Sequence, residues 1–278
     1  MRYNFVTSMK RFLLARYEAV LTHSLRAALR EQELDGLAAE LERAVPDIRK
    51  QYSGFEVDSE YLRLKVRGQH AFQVWLARKG VEGIDGDVVD IGDSAGTHVA
   101  YLKALAPGPR RYLSVNLDKA AVARIRAKGL DAVEGRAENL AAAGVQADVA
   151  LCFETLEHVP NPFAFLHDLY AGTRCRRLVV TVPYVRRTRL GLHHIRAGLK
   201  KPVSAEGTHL HEFSPEDLRL LFLHCGWRPA TERIYLQYPK LSPLRALAPL
   251  WRRRDFEGFY GAVLERDGSW SDLYGDWS

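Results

Sequence analysis

Two groups of residues in this chain have the types and spacing to do chemistry. The first is Glu154-x-x-Glu157-His158, joined later by His209-x-His211. An imidazole titrates near neutral pH, so His158 suits proton transfer, and Glu157 can orient it or act in its place. Seven of the ten histidines fall between His158 and His224. Alternation in an extended segment predicts His209 and His211 on one face. The second group is Asp90-Ile91-Gly92-Asp93-Ser94-Ala95-Gly96-Thr97, two carboxylates set among glycines. Lacking a Cβ, Gly92 and Gly96 let the backbone bend sharply and let a ligand come close. A nucleotide-type cofactor suits such a turn.

Positive charge gathers elsewhere. From Arg186 to Lys201 the chain carries Arg186, Arg187, Arg189, Arg196, Lys200 and Lys201 with no acid, and Trp251-Arg252-Arg253-Arg254 adds a second cluster. Such clusters suit a phosphorylated or otherwise anionic acceptor: a nucleotide-linked sugar, a lipid-linked intermediate or RNA. RNA is the less supported of these, because no aromatic residues interleave the basic ones as stacking platforms.

These residues need elements to position them. Val88, Val89 and Ile91 predict a buried parallel strand running into the glycine turn, with a helix behind it. Further strands are predicted at 111–116, 131–134, 149–153 and 178–182, alternating with helices at 119–128, 138–143 and 162–170. Asn161 caps the last of these, with Pro162 at its first position. This alternation means a parallel sheet covered by helices on both faces. After a helix opened by Ser214-Pro215-Glu216-Asp217, strands at 233–237 and 261–265 have no helical pattern between them. They form an antiparallel terminal hairpin. The fold class is therefore α/β: a Rossmann-like, doubly wound, mostly parallel sheet of seven strands, plus an N-terminal helical extension.

Residues 1–80 make that extension, and 81–278 the main domain. A lid-like insertion covers 184–211, too long for a plain connection, and a second insertion covers 239–256. Phe5, Met9, Phe12, Leu13 and Tyr17 recur at helical spacing among basic residues, a pattern that allows peripheral contact with an anionic membrane. With 278 residues, net charge +6 and three cysteines in no metal-ligand spacing, the chain reads as reduced and cytoplasmic. No apolar run is long enough to span a bilayer.

With these motifs, the grammar of five βα units and a terminal hairpin resembles the class I S-adenosylmethionine-dependent methyltransferases, over roughly residues 81–265. The glycine loop is similar to that family's acidic-x-Gly-x-Gly-x-Gly loop, with Ser94 replacing the middle glycine. Asn116 stands where the family places an acid for the ribose hydroxyls, and Asp118 can substitute from the turn. Gly135-Arg136-Ala137-Glu138 falls at the adenine-contacting turn, with Arg136 a departure. Phe153-Glu154-Thr155-Leu156-Glu157-His158-Val159-Pro160 is similar to a run in small-molecule O-methyltransferases such as those of ubiquinone biosynthesis.

The resemblance implies S-adenosylmethionine as cofactor, held by Asp90, Gly92, Asp93, Ser94, Gly96, Asn116, Asp118, Ala137 and Phe153. It implies His158, Glu157 and His211 as catalytic residues in O-methylation of a small or anionic acceptor. Two alternatives stand beside it. One is an inactive methyltransferase fold serving as a scaffold, suggested by Ser94 and Asn116. The other is an RNA 2′-O-methyltransferase, because Glu154, Glu157, His158 and His211 resemble the set that holds a divalent metal in small-RNA 3′-end enzymes. A dehydrogenase is disfavoured: Ser94 and Thr97 stand where a dinucleotide fingerprint needs its second and third glycines.

Overall fold

The structure is a computed structural model that describes residues 2–52, 55–191, 198–200, 202–203, 207–249, 251 and 256–274, with side chains from Arg16 onward. His193, His194, Arg196, Lys201, Arg252, Arg253, Arg254 and the side chains of Phe5 to Leu13 lie outside the described residues. The helices are α1 (Arg2–Glu31), α2 (Asp35–Ala44), α3 (Glu60–Val81), α4 (Thr97–Leu105), α5 (Lys119–Ala127), α6 (Pro162–Gly172) and α7 (Pro215–His224). The strands are β1 (Val88–Ile91), β2 (Tyr112–Asn116), β3 (Ala132–Glu134), β4 (Val149–Phe153), β5 (Arg177–Pro183), β6 (Arg189–Leu190), β7 (His211–Glu212), β8 (Trp227–Leu236) and β9 (Gly258–Arg266).

Seven strands form one sheet in the order β3-β2-β1-β4-β5-β9-β8. The pairs from β3 to β5 are parallel, and β9 runs antiparallel to β5 with Thr181 opposite Gly261. The expected Rossmann-like architecture is therefore present. Strand order reverses between β1 and β4, so their carboxyl ends open a crevice there. β1 and β4 are buried along their whole length. Their unbroken apolar runs are what a sheet covered on both faces requires.

The chain divides into two compact units: 1–72 with 235–257, and 73–234 with 258–278. In the second, the core joins β1, β4, β5 and β9 to Phe165 and Leu166 of α6 and to Leu218, Leu221 and Phe222 of α7. Trp227 closes it, fully buried, with its indole Nε1 donating to Leu166 O at 2.9 Å. In the first unit, Leu21, Leu25 and Leu29 of α1 are buried, as are Leu41 and Phe72. Gln32 pairs with the backbone of Leu236 as a strand would, donating to its carbonyl at 2.8 Å and accepting its N–H at 2.9 Å. Arg67, buried, donates to the carbonyls of Leu41, Val45 and Pro46 and so satisfies the frayed end of α2.

Three local expectations need correction. Residues 138–143 form a 3-10 turn at Ala137–Asn139 rather than a helix, being too short to offset the cost of helix nucleation. β8 begins at Trp227, six residues before the expected Arg233. Its intervening residues alternate polar and partly exposed, which hides an edge strand from a hydrophobicity pattern. The lid-like segment contains β6 and β7, paired antiparallel with Leu190 opposite His211. Two-residue strands carry no periodicity to read.

Candidate active site

The glycine loop is braced from inside. Asp93 is buried, and its Oδ1 accepts the backbone N–H groups of Ala95 at 3.0 Å and Gly96 at 2.7 Å. Its Oδ2 accepts Ser114 Oγ at 2.8 Å. Asn116 donates from Nδ2 to Asp93 O at 3.0 Å and accepts Asp118 N–H at 2.7 Å. Asp118 in turn caps α5 by accepting Ala120 N–H. Asp93, Asn116 and Asp118 thus link the carboxyl ends of β1 and β2 into one rigid turn, and their side chains serve the loop itself.

Gly92 and Gly96 have φ of +88° and +70°, a region that costs an L-residue about 1–2 kcal/mol. A Cβ on Gly92 would also collide with the Thr155 side chain. Thr155 Oγ1 donates within reach of Ile91 O and Phe153 O, tying the turn after β4 to the turn after β1. Ser94 is part-buried, with its carbonyl accepting Arg124 Nη2 at 3.1 Å. Ala137 is likewise part-buried, at the 3-10 turn beyond β3. The Phe153 ring lies against His98, with centroids 4.8 Å apart.

Beyond Phe153 the backbone is strained: Glu154 has φ +47°, a value rare for a non-glycine residue and most frequent at functional turns. The 3-10 turn Leu156–His158 follows. It buries Glu157 to 2 % exposure with neither carboxylate oxygen hydrogen-bonded among the described residues. Burial, then the neighbouring Glu154, push the Glu157 carboxyl well above the usual carboxylate range. His158 Nδ1 lies 2.9 Å from Thr208 O. A carbonyl only accepts, so Nδ1 carries the hydrogen and Nε2 is the basic nitrogen.

His209 comes in beside them, its ring perpendicular to His158 at a centroid distance of 4.7 Å. Ligand atoms of Glu157, His158 and His209 lie within 4.8 Å of one another. Leu210 N–H, bonded to Glu157 O at 2.8 Å, pins the segment there. Behind His209 stands Glu212, 2 % exposed, 3.4 Å from His209 Nδ1 and paired with Arg189 Nε across β6 and β7.

His211 is placed differently from the expectation. Its Nε2 lies 3.2 Å from Pro160 O and its ring stacks on Phe213. Leu210 is a bend, and the strand begins only at His211, so alternation does not carry His209 and His211 onto one face. Glu154 also stands outside the three-residue group, since its left-handed backbone breaks the helical spacing that would bring positions i, i+3 and i+4 together. Arg189, grouped with Arg186 and Arg187 as a binder of anions, is held by Glu212. Glu212 is the residue sequence reasoning missed. Its only signal was an acid immediately following His-x-His.

Comparison with known proteins places the fold. A family profile described as a methyltransferase domain matches residues 34–232, which is most of the chain, and the chain belongs to that family. It is a class I S-adenosylmethionine-dependent methyltransferase. Solved structures agree in fold. A 1,6-didemethyltoxoflavin-N1-methyltransferase from Burkholderia thailandensis, with S-adenosylhomocysteine bound, is 16 % identical at a TM-score of 0.52, covering 83 % of this chain and 87 % of its own. A putative sarcosine dimethylglycine methyltransferase from Galdieria sulphuraria is 13 % identical at 0.53, covering 75 % and 87 %. The [4+2]-cyclase SpnF is 13 % identical at 0.51, covering 87 % and 97 %. No curated protein matches by sequence. Among the described residues, no helix is long and apolar enough to cross a membrane.

Proposed function

We propose that the protein methylates a hydroxyl group on a small anionic acceptor, with His158 Nε2 receiving the hydroxyl proton beside Glu157 and His209. The observation that carries this reading is a buried acid beside two imidazoles, tied through Thr155 to the glycine loop. S-adenosylmethionine brings an activated methyl group on a sulfonium, so no residue has to generate the electrophile. The chain must hold the acceptor in line, exclude water and take one proton. His158 has a basic Nε2, and His209, backed by Glu212, extends the polar wall beside it. Arg186, Arg187 and Lys200, all exposed, are described cations of a type that suits an acceptor's anionic group. The test is mass spectrometry of a native extract incubated with enzyme and isotopically methyl-labelled cofactor. Label on the oxygen of phosphate- or carboxylate-bearing compounds is the expected result. Label on nitrogen or carbon, or on neutral compounds, overturns the reading.

A second reading adds a divalent cation, favoured by the two buried Glu157 oxygens that lack hydrogen-bond partners among the described residues. Glu157, His158 and His209 fit the group: one carboxylate and two imidazoles are a ligand set for Zn²⁺ or Mn²⁺. A cation there would acidify a bound hydroxyl. Calorimetric titration of the chelated protein with Zn²⁺ or Mn²⁺, with His209→Ala beside it, decides between the two. Binding lost in the variant supports a metal, and full turnover in chelator leaves His158 as a plain base.

A further inference from the structure

Positive charge is unevenly spread along this chain. Residues 1–30 and 240–254 hold eleven of its 40 lysines and arginines but only one of its 34 acids, Glu18. Over the rest of the chain acids outnumber cations, so the net charge of +6 comes from these two stretches. Both belong to the unit of residues 1–72 with 235–257. Glu31, at the end of α1, fastens the second stretch there. Its two carboxylate oxygens accept the N–H groups of Lys240 at 2.7 Å and Leu241 at 3.0 Å. Just before them Ser24 Oγ donates to Gln237 O at 3.3 Å. Ser242 then opens a 3-10 turn over Pro243–Leu247 by accepting Leu244 N–H at 3.1 Å.

One side of this stretch packs inward: Ala248 and Trp251 are buried, with the Trp251 ring against Tyr61 at a centroid distance of 6.3 Å. The other side faces water with a composition that water does not favour. Leu241 is 89 % exposed, more than any other large apolar side chain among the described residues. Pro243, Ala246 and Pro249 are exposed as well, and the charged residues between 240 and 249 are Lys240 and Arg245, both exposed. A lone exposed leucine is ordinary on a protein surface. This one is held at its own N–H by a carboxylate and stands among apolar residues and cations with no acid in the stretch. Apolar side chains ringed by cations suit the boundary of an anionic bilayer, where the cations meet phosphates and the leucine enters the acyl region. RNA would answer the charge but not the leucine, and residues 240–249 hold no aromatic ring on which a base could stack.

We propose that residues 240–249 form a docking surface for an anionic lipid bilayer, with Leu241 as the inserted side chain and Lys240 and Arg245 on the headgroup phosphates. Glu31 positions Leu241 for this by fixing the backbone on which it stands. The inference is independent of the methyl acceptor and of the Glu157 cluster.

The experiment is co-flotation of the full chain with vesicles of phosphatidylglycerol and phosphatidylcholine in equal parts, and with vesicles of phosphatidylcholine alone. Wild type should float with the anionic vesicles, stay behind with the neutral ones, and be released at about 0.5 M salt. Leu241→Ser removes the apolar contact without touching charge, and should lower the partition coefficient about tenfold or more. Lys240→Ala and Arg245→Ala should lower it about fivefold each. Thermal unfolding of these variants should match wild type, because the side chains they replace are exposed. Leu273→Ser, at a leucine 82 % exposed in the other unit, should float as wild type does. Wild type that stays behind with the anionic vesicles overturns the proposal. So does Leu241→Ser floating as well as wild type, which would give the binding to residues 1–30. Retention on polyuridine without any vesicle binding would assign the charge to RNA and overturn it as well.

Discussion

At the scale of single residues, the loop depends on what is absent from Gly92 and what is buried at Asp90. Gly92→Val places a β-branched residue at φ +88° and drives its Cβ into Thr155. The turn must then open, and S-adenosylhomocysteine affinity should fall at least about a hundredfold, which is about 2.7 kcal/mol; an unchanged Kd in calorimetry would refute this. Asp90 also sets a pH dependence of stability. Burial, then the neighbouring Asp93, raises its folded-state pKa above the ordinary 3.8, so the folded state keeps a proton that the unfolded chain has lost. Stability from this group is full below the unfolded value and declines as pH rises toward the folded one. His98, lowered by burial to about 4 from 6.5, acts oppositely: its contribution is present above 6.5 and lost as pH falls toward 4. Asp90→Asn removes the first effect and leaves the second. The cofactor-free variant should therefore gain several degrees in Tm over wild type at pH 8 and almost nothing at pH 4.

At the scale of elements, β6 and β7 decide what Arg189 is paired with. Arg189 and Glu212 face each other across that ribbon, and Glu212 stands behind His209. Arg189→Ala leaves a buried acid without its cation and loosens His209. On the proposed reading it should lower kcat about tenfold or more with little change in acceptor KM, because the wall beside His158 is disturbed rather than the acceptor lost. The double variant Arg186→Ala, Arg187→Ala should do the reverse: acceptor KM rises several-fold, and cofactor KM and kcat hold. Steady-state kinetics on an acceptor found by methyl labelling separates the two patterns. Equal effects from both variants would remove the distinction drawn between Arg189 and its neighbours.

At the scale of the whole molecule, the glycine loop and the Glu157 cluster belong to the unit of residues 73–234 with 258–278. The other unit, 1–72 with 235–257, joins two stretches distant in sequence. Gln32 secures one of these joints by giving Leu236 both a donor and an acceptor. Gln32→Leu keeps the size but strips both partners from that backbone. It should destabilise this unit by about 1–3 kcal/mol, read as faster hydrogen exchange over residues 235–249, while exchange over residues 88–98 stays as in wild type. Unchanged exchange in both stretches would show that Gln32 contributes nothing there.

Much of this was legible from the chain alone. Alternating apolar runs and glycine turns specify the parallel sheet, and the Asp90–Gly96 spacing specifies the sharp turn after the first strand, because both depend on periodicity and on backbone freedom that are local in sequence. Glu157 and His158 were visible for the same reason, as adjacent residues after a buried strand. What stayed hidden depends on distance in space. That His209 and not His211 joins Glu157 turns on a bend at Leu210. That Asp93 and Asn116 brace the loop turns on their meeting across β1 and β2. That Arg189 serves Glu212 turns on a ribbon of two-residue strands. Hydrogen bonds and ion pairs of buried polar groups are satisfied by whatever the fold brings near, and only the tertiary structure decides which partners those are.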